Sequence, residues 1–148
     1  MGLLDVINKD MIIVPMTSST REGVIKDLVE RYCTVKGLSE KDEEDIYSHI
    51  MQREELGSTA MGHGIAIPHC KLDSIKEPAV VIGISRLPID FGGEEKSKIF
   101  FLVLASKEKP TEHVQLLASI ARVCSSEVFV RLLSSAKTPQ EVYQLFFD

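Results

Sequence analysis

The glycine-rich stretch from Gly57 to His69 leaves this chain few conformational options, because it fits neither a regular helix nor a regular strand. Its glycines, at positions 57, 62 and 64, allow positive φ and close approach of the backbone. The apolar segment 65–67 that follows predicts a brief strand. Pro68 ends that strand, because proline lacks the N–H donor that a ladder requires. We therefore expect His69 at the end of the strand, on a stiff backbone.

His69 is a candidate nucleophile. A neutral imidazole has a free nitrogen lone pair at physiological pH, because its unperturbed pKa is about 6.5. The neighbouring glycines leave room for a phosphate-sized group and can direct backbone N–H donors towards it. The alternative is a structural histidine beside an ordinary turn. The stretch is not a Walker A loop, since no Gly-Lys-Ser/Thr follows, and Gly62-x-Gly64 lacks the third glycine of the dinucleotide fingerprint.

The run from Arg53 to His69, RExxGSTxxGxGIAIPH, resembles a known family. It is similar to the IIA domain of the bacterial phosphoenolpyruvate-dependent sugar phosphotransferase system, of the fructose/mannitol type that includes the nitrogen-regulatory form. The resemblance extends from about Leu3 to Phe146, so we expect residues 1–148 to form one such domain. In that family the histidine after Ile-Pro is phosphorylated by the phosphocarrier protein, which implies the same role for His69.

The resemblance also implies what the chain does. It would be a phosphotransferase component that works through a phosphohistidine intermediate and without a cofactor. The phosphoryl group would come from the phosphocarrier protein and pass to a sugar-specific IIB domain. The alternative is a nitrogen-type regulator, whose phosphorylation state controls target proteins without onward sugar phosphorylation. The sequence leaves open the sugar and the downstream partner.

Arg53 and His113 are the other candidate catalytic residues. Arg53 is either a surface charge at a helix end or the family's active-site arginine, whose planar guanidinium can hold two phosphoryl oxygens. The motif from Glu112 to Leu117 resembles the segment that carries the family's second active-site histidine. His113 falls in the first turn of a predicted helix and shares a face with apolar residues, so it should point inward. Its alternative role is that of a core histidine bonded to backbone. We expect Arg53, His69 and His113 to converge on one shallow depression that a partner protein can reach.

Three residues near His69 are candidate phosphate-binding residues. The backbone around Gly62 and Gly64 can provide further N–H donors to a phosphoryl group. Thr59 can either contribute a hydroxyl to the phosphoryl group or cap a turn, and both possibilities stay open.

A metal site is the rival interpretation. His63, His69, Cys70 and His113 carry the ligand atoms that zinc prefers. Their spacing matches none of the common zinc patterns, and adjacent residues on a strand point to opposite sides. We therefore expect no metal.

Composition excludes several classes of function. The net charge of −5 over 148 residues argues against general nucleic-acid binding, which needs a basic face. The three cysteines include no CxxC pair, which favours reduced thiols in a cytoplasm. The longest apolar run, 99–105, is too short to cross a bilayer, and no signal peptide is evident. We expect a cytoplasmic protein that does not insert into membranes.

The pattern of apolar residues predicts an α/β fold in a single domain, with a mixed sheet of about five strands and helices on both faces. Capping signals at Ser19-x-x-Glu22, Ser39-x-x-Asp42 and Thr138-x-x-Glu141 mark three helix starts. Other predicted features are strands at 11–15, 79–85 and 99–105, a turn at 88–93, a helix starting near 111 and a short helix after Ser125/Ser126. The strands near 80–85 and 99–105 should be central, because they are apolar on both faces.

Overall fold

A mixed sheet with five α-helices forms the fold in the computed structural model, which describes residues 2–147. The α/β class is confirmed, and the sheet has six strands over these residues instead of about five. The strands are β1 (Ile12–Met16), β2 (Ala60–Gly62), β3 (Ile65–Ala66), β4 (His69–Leu72), β5 (Ala79–Ile89) and β6 (Ser97–Ser106). The helices are α1 (Arg21–Lys36), α2 (Glu40–Leu56), α3 (Pro110–Val123), α4 (Glu127–Ser135) and α5 (Pro139–Phe147), and short 3-10 turns occupy Leu3–Asp5 and Lys9–Met11.

Strand β6 is the centre of the sheet, as its continuous apolar sequence predicts. It pairs antiparallel with β5 on one side, and β1 pairs parallel with the far edge of β5. On its other side β6 pairs in parallel with two short strands in succession, first β3 and then β4. Strand β2 pairs antiparallel with β3 and completes the sheet.

Helices cover both faces of the sheet, as expected. Alternate residues of β6 point to opposite sides, because side chains on a strand have a period of two. Helices α1 and α2 contribute to one core cluster, and α3, α4 and α5 contribute to the other. The β6 residues on the α1/α2 face are Phe100, Leu102 and Leu104, and those on the opposite face are Ile99, Phe101 and Val103.

Most predicted helix boundaries are confirmed, but the cap of α1 is not. The side chain of Thr20 accepts a hydrogen bond from the Gly23 backbone N–H, so Thr20 takes the capping position that we assigned to Ser19. Glu22 then falls one position short of the place that a capping box requires. Ser39 does form the predicted capping box at the start of α2.

Prolines interrupt the strands less than the sequence suggests. Strand β1 continues through Pro15, because β1 is an edge strand on which a missing N–H donor is tolerated. Strand β5 continues through Pro88, which lies where the register with β6 is irregular, so the turn predicted at 88–93 begins later. His69 is the first residue of β4 and not the last residue of the preceding strand, because pairing with β6 resumes directly after Pro68.

The longest helix in the described part of the chain, α2, has 17 residues and many charges. Neither it nor another helix among residues 2–147 is long and apolar enough to span a membrane.

We expect Leu102→Ala to lower the free energy of unfolding by about 2–5 kcal/mol, because Leu102 is fully buried in the central strand and its removal leaves a cavity. Urea unfolding followed by circular dichroism measures the loss. The matched control is Leu87→Ala, since Leu87 lies on the neighbouring strand with 75% of its surface exposed. Equal losses from the two substitutions would contradict the placement of β6 at the centre of the core.

Candidate functional site

His69 is held by backbone contacts on both sides. The Val103 N–H donates to the Pro68 carbonyl at 2.9 Å, and His69 then pairs with Val103 across the β4–β6 ladder. The Nδ1 atom of His69 lies 2.6 Å from the Ile67 carbonyl oxygen. A carbonyl can only accept a hydrogen bond, so Nδ1 carries the proton and donates it. The Nε2 atom is therefore the nitrogen with a free lone pair.

His113 lies beside His69 and points inward, as predicted. Pro110 occupies the first position of α3, which suits a residue without an N–H, and Lys109 before it caps the helix without a side-chain bond. His113 follows in the first turn with only 5% of its surface exposed. Its ring centroid is 5.3 Å from that of His69, and the two rings are tilted by 53°. Among the described residues, the buried Nδ1 atom of His113 has no hydrogen-bond partner.

Arg53 completes the group of three. It lies in the last turn of α2, where its Nη1 atom donates to the Gly57 carbonyl at 2.7 Å. Arg53, His69 and His113 line one open surface depression of about 840 Å³. The structure thus brings together three residues that are 16 and 44 positions apart along the chain.

Burial keeps both imidazoles neutral at pH 7. It lowers the pKa of His113 to about 4, and the charge that His69 carries when protonated and the charge of Lys71 act in the same direction. Burial also lowers the pKa of His69; the hydrogen bond to the Ile67 carbonyl opposes this effect, and the charge of Arg53 adds to it. A neutral His69 has its Nε2 lone pair available for attack on an electrophile.

Thr59 does not face this depression. Its hydroxyl donates to the carboxylate of Glu54, and its backbone N–H donates to the other carboxylate oxygen at 3.3 Å. Glu54 is itself 97% buried and has Arg21 Nη1 at 3.9 Å. Of the two roles that the sequence left open for Thr59, the structure places the hydroxyl in the one that stabilises the turn after α2.

Gly62 and Gly64 lie at the wrong end of β3 for the phosphate contact that we assigned to them. Gly62 is the last residue of β2 and Gly64 lies in the turn before β3, with φ angles of 86° and 80°. The Ile99 N–H donates to the Gly64 carbonyl, whereas His69 pairs with Val103, four residues further along β6. At about 3.3 Å per residue the separation is about 13 Å, so these glycines form the turn and are absent from the lining of the depression.

Two lysines that the sequence reasoning did not select also line the depression, Lys71 and Lys107. Lys71 follows His69 by two positions on β4, so the two side chains share a face of the strand. The alternation of side chains along a strand is the signal that identifies Lys71, because a residue two positions after His69 lies on the same face. Lys107 follows β6, and its backbone N–H donates to the Leu72 carbonyl. This long-range contact has no local signal in the sequence.

Of the four residues considered for a metal site, His69 and His113 are neighbours, but the other two do not join them. Cys70 is buried in the α1/α2 cluster on the side of β4 opposite to His69, and His63 lies in the β2–β3 turn. Within residues 2–147 no three His, Cys, Asp or Glu side chains come together as a possible metal site.

We expect the protein to lose stability as the pH falls from about 6.5 towards 4, in part because of His113. In this window the unfolded chain protonates the histidine, whose pKa there is about 6.5, while the folded protein holds it neutral with a pKa of about 4. The unfolded state then binds more protons, so acid favours it. Urea unfolding at pH 7 and pH 5 should show a smaller pH dependence for His113→Gln than for the wild type. Equal pH dependence would contradict the shifted pKa.

Comparisons with known proteins bear on this arrangement. A family model described as the phosphoenolpyruvate-dependent sugar phosphotransferase system, EIIA 2, matches residues 5–148. The nitrogen regulatory protein of Pseudomonas aeruginosa is 29% identical over 138 residues, which cover 92% of this chain and 88% of that protein. The mannitol-specific phosphotransferase enzyme IIA component of Bacillus subtilis is 32% identical over 152 residues, which cover 97% of each chain.

Solved structures share the fold. The nitrogen regulatory protein IIA-Ntr from Neisseria meningitidis has a TM-score of 0.87 at 21% identity, over 97% of both chains. The complex of enzyme IIA mannitol with phosphorylated enzyme IIB mannitol from Escherichia coli matches with a TM-score of 0.81 at 22% identity, over 95% of this chain and 96% of the matched chain. The family match covers nearly the whole chain, and the Bacillus component is 32% identical. The chain therefore belongs to the EIIA 2 family of the phosphoenolpyruvate-dependent sugar phosphotransferase system, whose IIA components are phosphoryl relay proteins.

Proposed function

We propose that Nε2 of His69 accepts a phosphoryl group from the phosphohistidine of the phosphocarrier protein and passes it to a sugar-specific IIB domain. The observation that carries this proposal is the hydrogen bond from His69 Nδ1 to the Ile67 carbonyl. It assigns the proton to Nδ1 and leaves Nε2 as the nucleophile on a residue that lines an open depression. An open depression suits a donor that is itself a side chain on another protein.

The transfer is a simple exchange of bonds. The Nε2 lone pair forms a bond to phosphorus while the N–P bond of the donor breaks, and that electron pair returns to the donor nitrogen. Such a reaction needs alignment and positive charge around the phosphoryl oxygens, and little other chemistry from the protein. The backbone contacts that hold His69 on β6 provide the alignment.

The proton on Nδ1 matters for onward transfer. While the Ile67 carbonyl holds this proton, the phosphorylated ring carries a positive charge. His69 then leaves as a neutral imidazole when a thiolate of a IIB domain attacks the phosphorus, and a neutral leaving group departs more readily than an anion. The same hydrogen bond therefore supports both acceptance and release of the phosphoryl group.

Arg53 and His113 act as donors to the phosphoryl oxygens in this proposal. The Arg53 guanidinium is always charged and can contact two oxygens at once. His113 is neutral at pH 7, so it has a single N–H to donate to the group on His69. Donors of this kind stabilise the charge that develops during transfer.

The second candidate function is regulatory, and the similarity to the nitrogen regulatory protein of Pseudomonas aeruginosa favours it. His69 would be phosphorylated in the same way, but the phosphorylation state would control a target protein with no further transfer. We assign either activity to the cytoplasm, a reducing compartment in which the free thiols of Cys33, Cys70 and Cys124 are stable.

A transfer assay separates the two functions. The phosphorylated chain is mixed with purified IIB domains of fructose and mannitol specificity, and movement of labelled phosphate is followed. Transfer to a IIB cysteine supports the sugar relay. Stable phosphate on this chain in the presence of both domains favours regulation.

We expect His69→Ala to abolish phosphorylation by phosphoenolpyruvate, the first enzyme of the system and its phosphocarrier protein. Mass spectrometry of the wild type should locate an acid-labile, base-stable phosphate on His69. The control is His63→Asn, because His63 is exposed at a φ of 56° that asparagine tolerates and lies in the distant β2–β3 turn. Phosphate on His113 of the wild type with His69 unmodified would reverse the assignment.

We expect Arg53→Lys to slow phosphorylation of His69 by about 10²–10³-fold, the usual cost of losing one donor to a transition state. Lysine keeps the charge but cannot form the planar two-point contact, and it cannot reproduce the fixed Nη1 bond to the Gly57 carbonyl. Single-turnover kinetics with the phosphorylated phosphocarrier protein measure the effect. A rate within threefold of the wild type would show that charge alone suffices.

A further inference from the structure

Lys71 lies on the same strand face as His69, two positions further along β4. The intervening Cys70 and the following Leu72 are buried in the α1/α2 cluster, so His69 and Lys71 both point away from it. Residues two apart on a strand are about 6.6 Å apart along the chain. A lysine stem can cover this distance, so its ammonium group can reach a phosphoryl group bound to Nε2.

The Lys71 side chain is exposed and free to move towards such a group. Within residues 2–147 it forms neither a hydrogen bond nor an ion pair with another side chain. By contrast, Arg53 already donates to the Gly57 carbonyl. Lys71 therefore has all three of its N–H donors available.

The charge of Lys71 acts on both histidines. Burial is the main cause of the lowered pKa of His69 and of His113, and the positive charge of Lys71 adds a smaller effect in the same direction at both rings. Lys107 and Arg53 add positive charge to the same depression, whose lining contains one carboxylate, that of Glu55, although the whole chain carries a net charge of −5. A local excess of cations in an acidic protein suits an anionic group at this position.

We propose that Lys71 is a further catalytic residue of the phosphoryl-transfer site and donates to an oxygen of the phosphoryl group on His69 Nε2. The inference rests on the proposed function of His69. The same charge has opposite effects on the two states of the site. It disfavours protonation of free His69, which keeps the nucleophile neutral, and it attracts the phosphoryl anion once the transfer has occurred.

The test compares Lys71→Met, Lys71→Arg and the control Lys41→Met. Lys41 is an exposed lysine in the first turn of α2, at the end of that helix opposite to Arg53. Each variant is equilibrated with phosphoenolpyruvate, the first enzyme and the phosphocarrier protein. We expect Lys71→Met to lower the equilibrium ratio of phosphorylated to free chain about fivefold at low salt, the upper end of the strength of an exposed ion pair. Lys71→Arg should restore most of the ratio, and Lys41→Met should leave it unchanged.

Two spectroscopic measurements separate a direct contact from a structural effect. Phosphorus NMR should show a higher pKa for the phosphoryl group of the Lys71→Met protein, because the stabilising cation is lost. Proton NMR of the unphosphorylated variant should show higher pKa values for both His69 and His113 than in Lys41→Met. Both differences should shrink at 1 M salt, where the screening length is about 3 Å.

The outcomes distinguish the two proposals. Absence of phosphate from wild-type His69 would overturn the proposed function and this inference with it. Phosphorylation of the wild type and of Lys71→Met to the same equilibrium would overturn the inference alone. Unchanged phosphoryl and histidine pKa values in Lys71→Met would also overturn it, because the ammonium group would then lie outside the site.

Discussion

The candidate site depends on how the chain passes Pro68. Strands β3 and β4 both pair in parallel with β6, and Pro68 between them has no N–H to donate. Its carbonyl still accepts from the Val103 N–H, so the chain stays on β6 while the ladder is interrupted. The imidazole of His69 spans this interruption by donating back to the Ile67 carbonyl. The nucleophile is therefore positioned by backbone groups, which move less than side chains.

The electrostatics of the depression follow from this position. His69 and His113 are buried enough to stay neutral, and their rings are 5.3 Å apart. The basic side chains of Arg53, Lys71 and Lys107 line the same depression. With two neutral imidazoles, three cationic side chains and the one carboxylate of Glu55, the lining keeps an excess of positive charge that an anion can neutralise. This arrangement favours a phosphoryl group over a neutral ligand.

The sequence identifies the residues that local patterns mark. It misplaces residues whose role depends on which end of a strand, or which side-chain partner, they meet in the folded protein. His69 follows a proline, Arg53 lies at the end of a helix, and His113 lies at the start of another. The structure brings all three to one depression. Glycines 62 and 64 are assigned to a phosphate contact by the sequence, whereas in the structure they flank the β2–β3 turn; local composition carries no information about which end of a strand a turn occupies in the sheet. For Thr59 the sequence allows two roles, because it does not show that the hydroxyl meets the buried carboxylate of Glu54.

The sequence by itself determined the α/β class, the central apolar strand β6 and most helix starts, because each depends on neighbours within a few residues along the chain. It also determined the candidate nucleophile through the motif that ends in Ile-Pro-His. Only the tertiary structure decided that β3 and β4 share β6 as their partner, which separates the glycine turn from His69 and places Lys71 beside it. The physical reason is that strand pairing and helix packing join residues far apart in the chain, and no local preference specifies which of them meet.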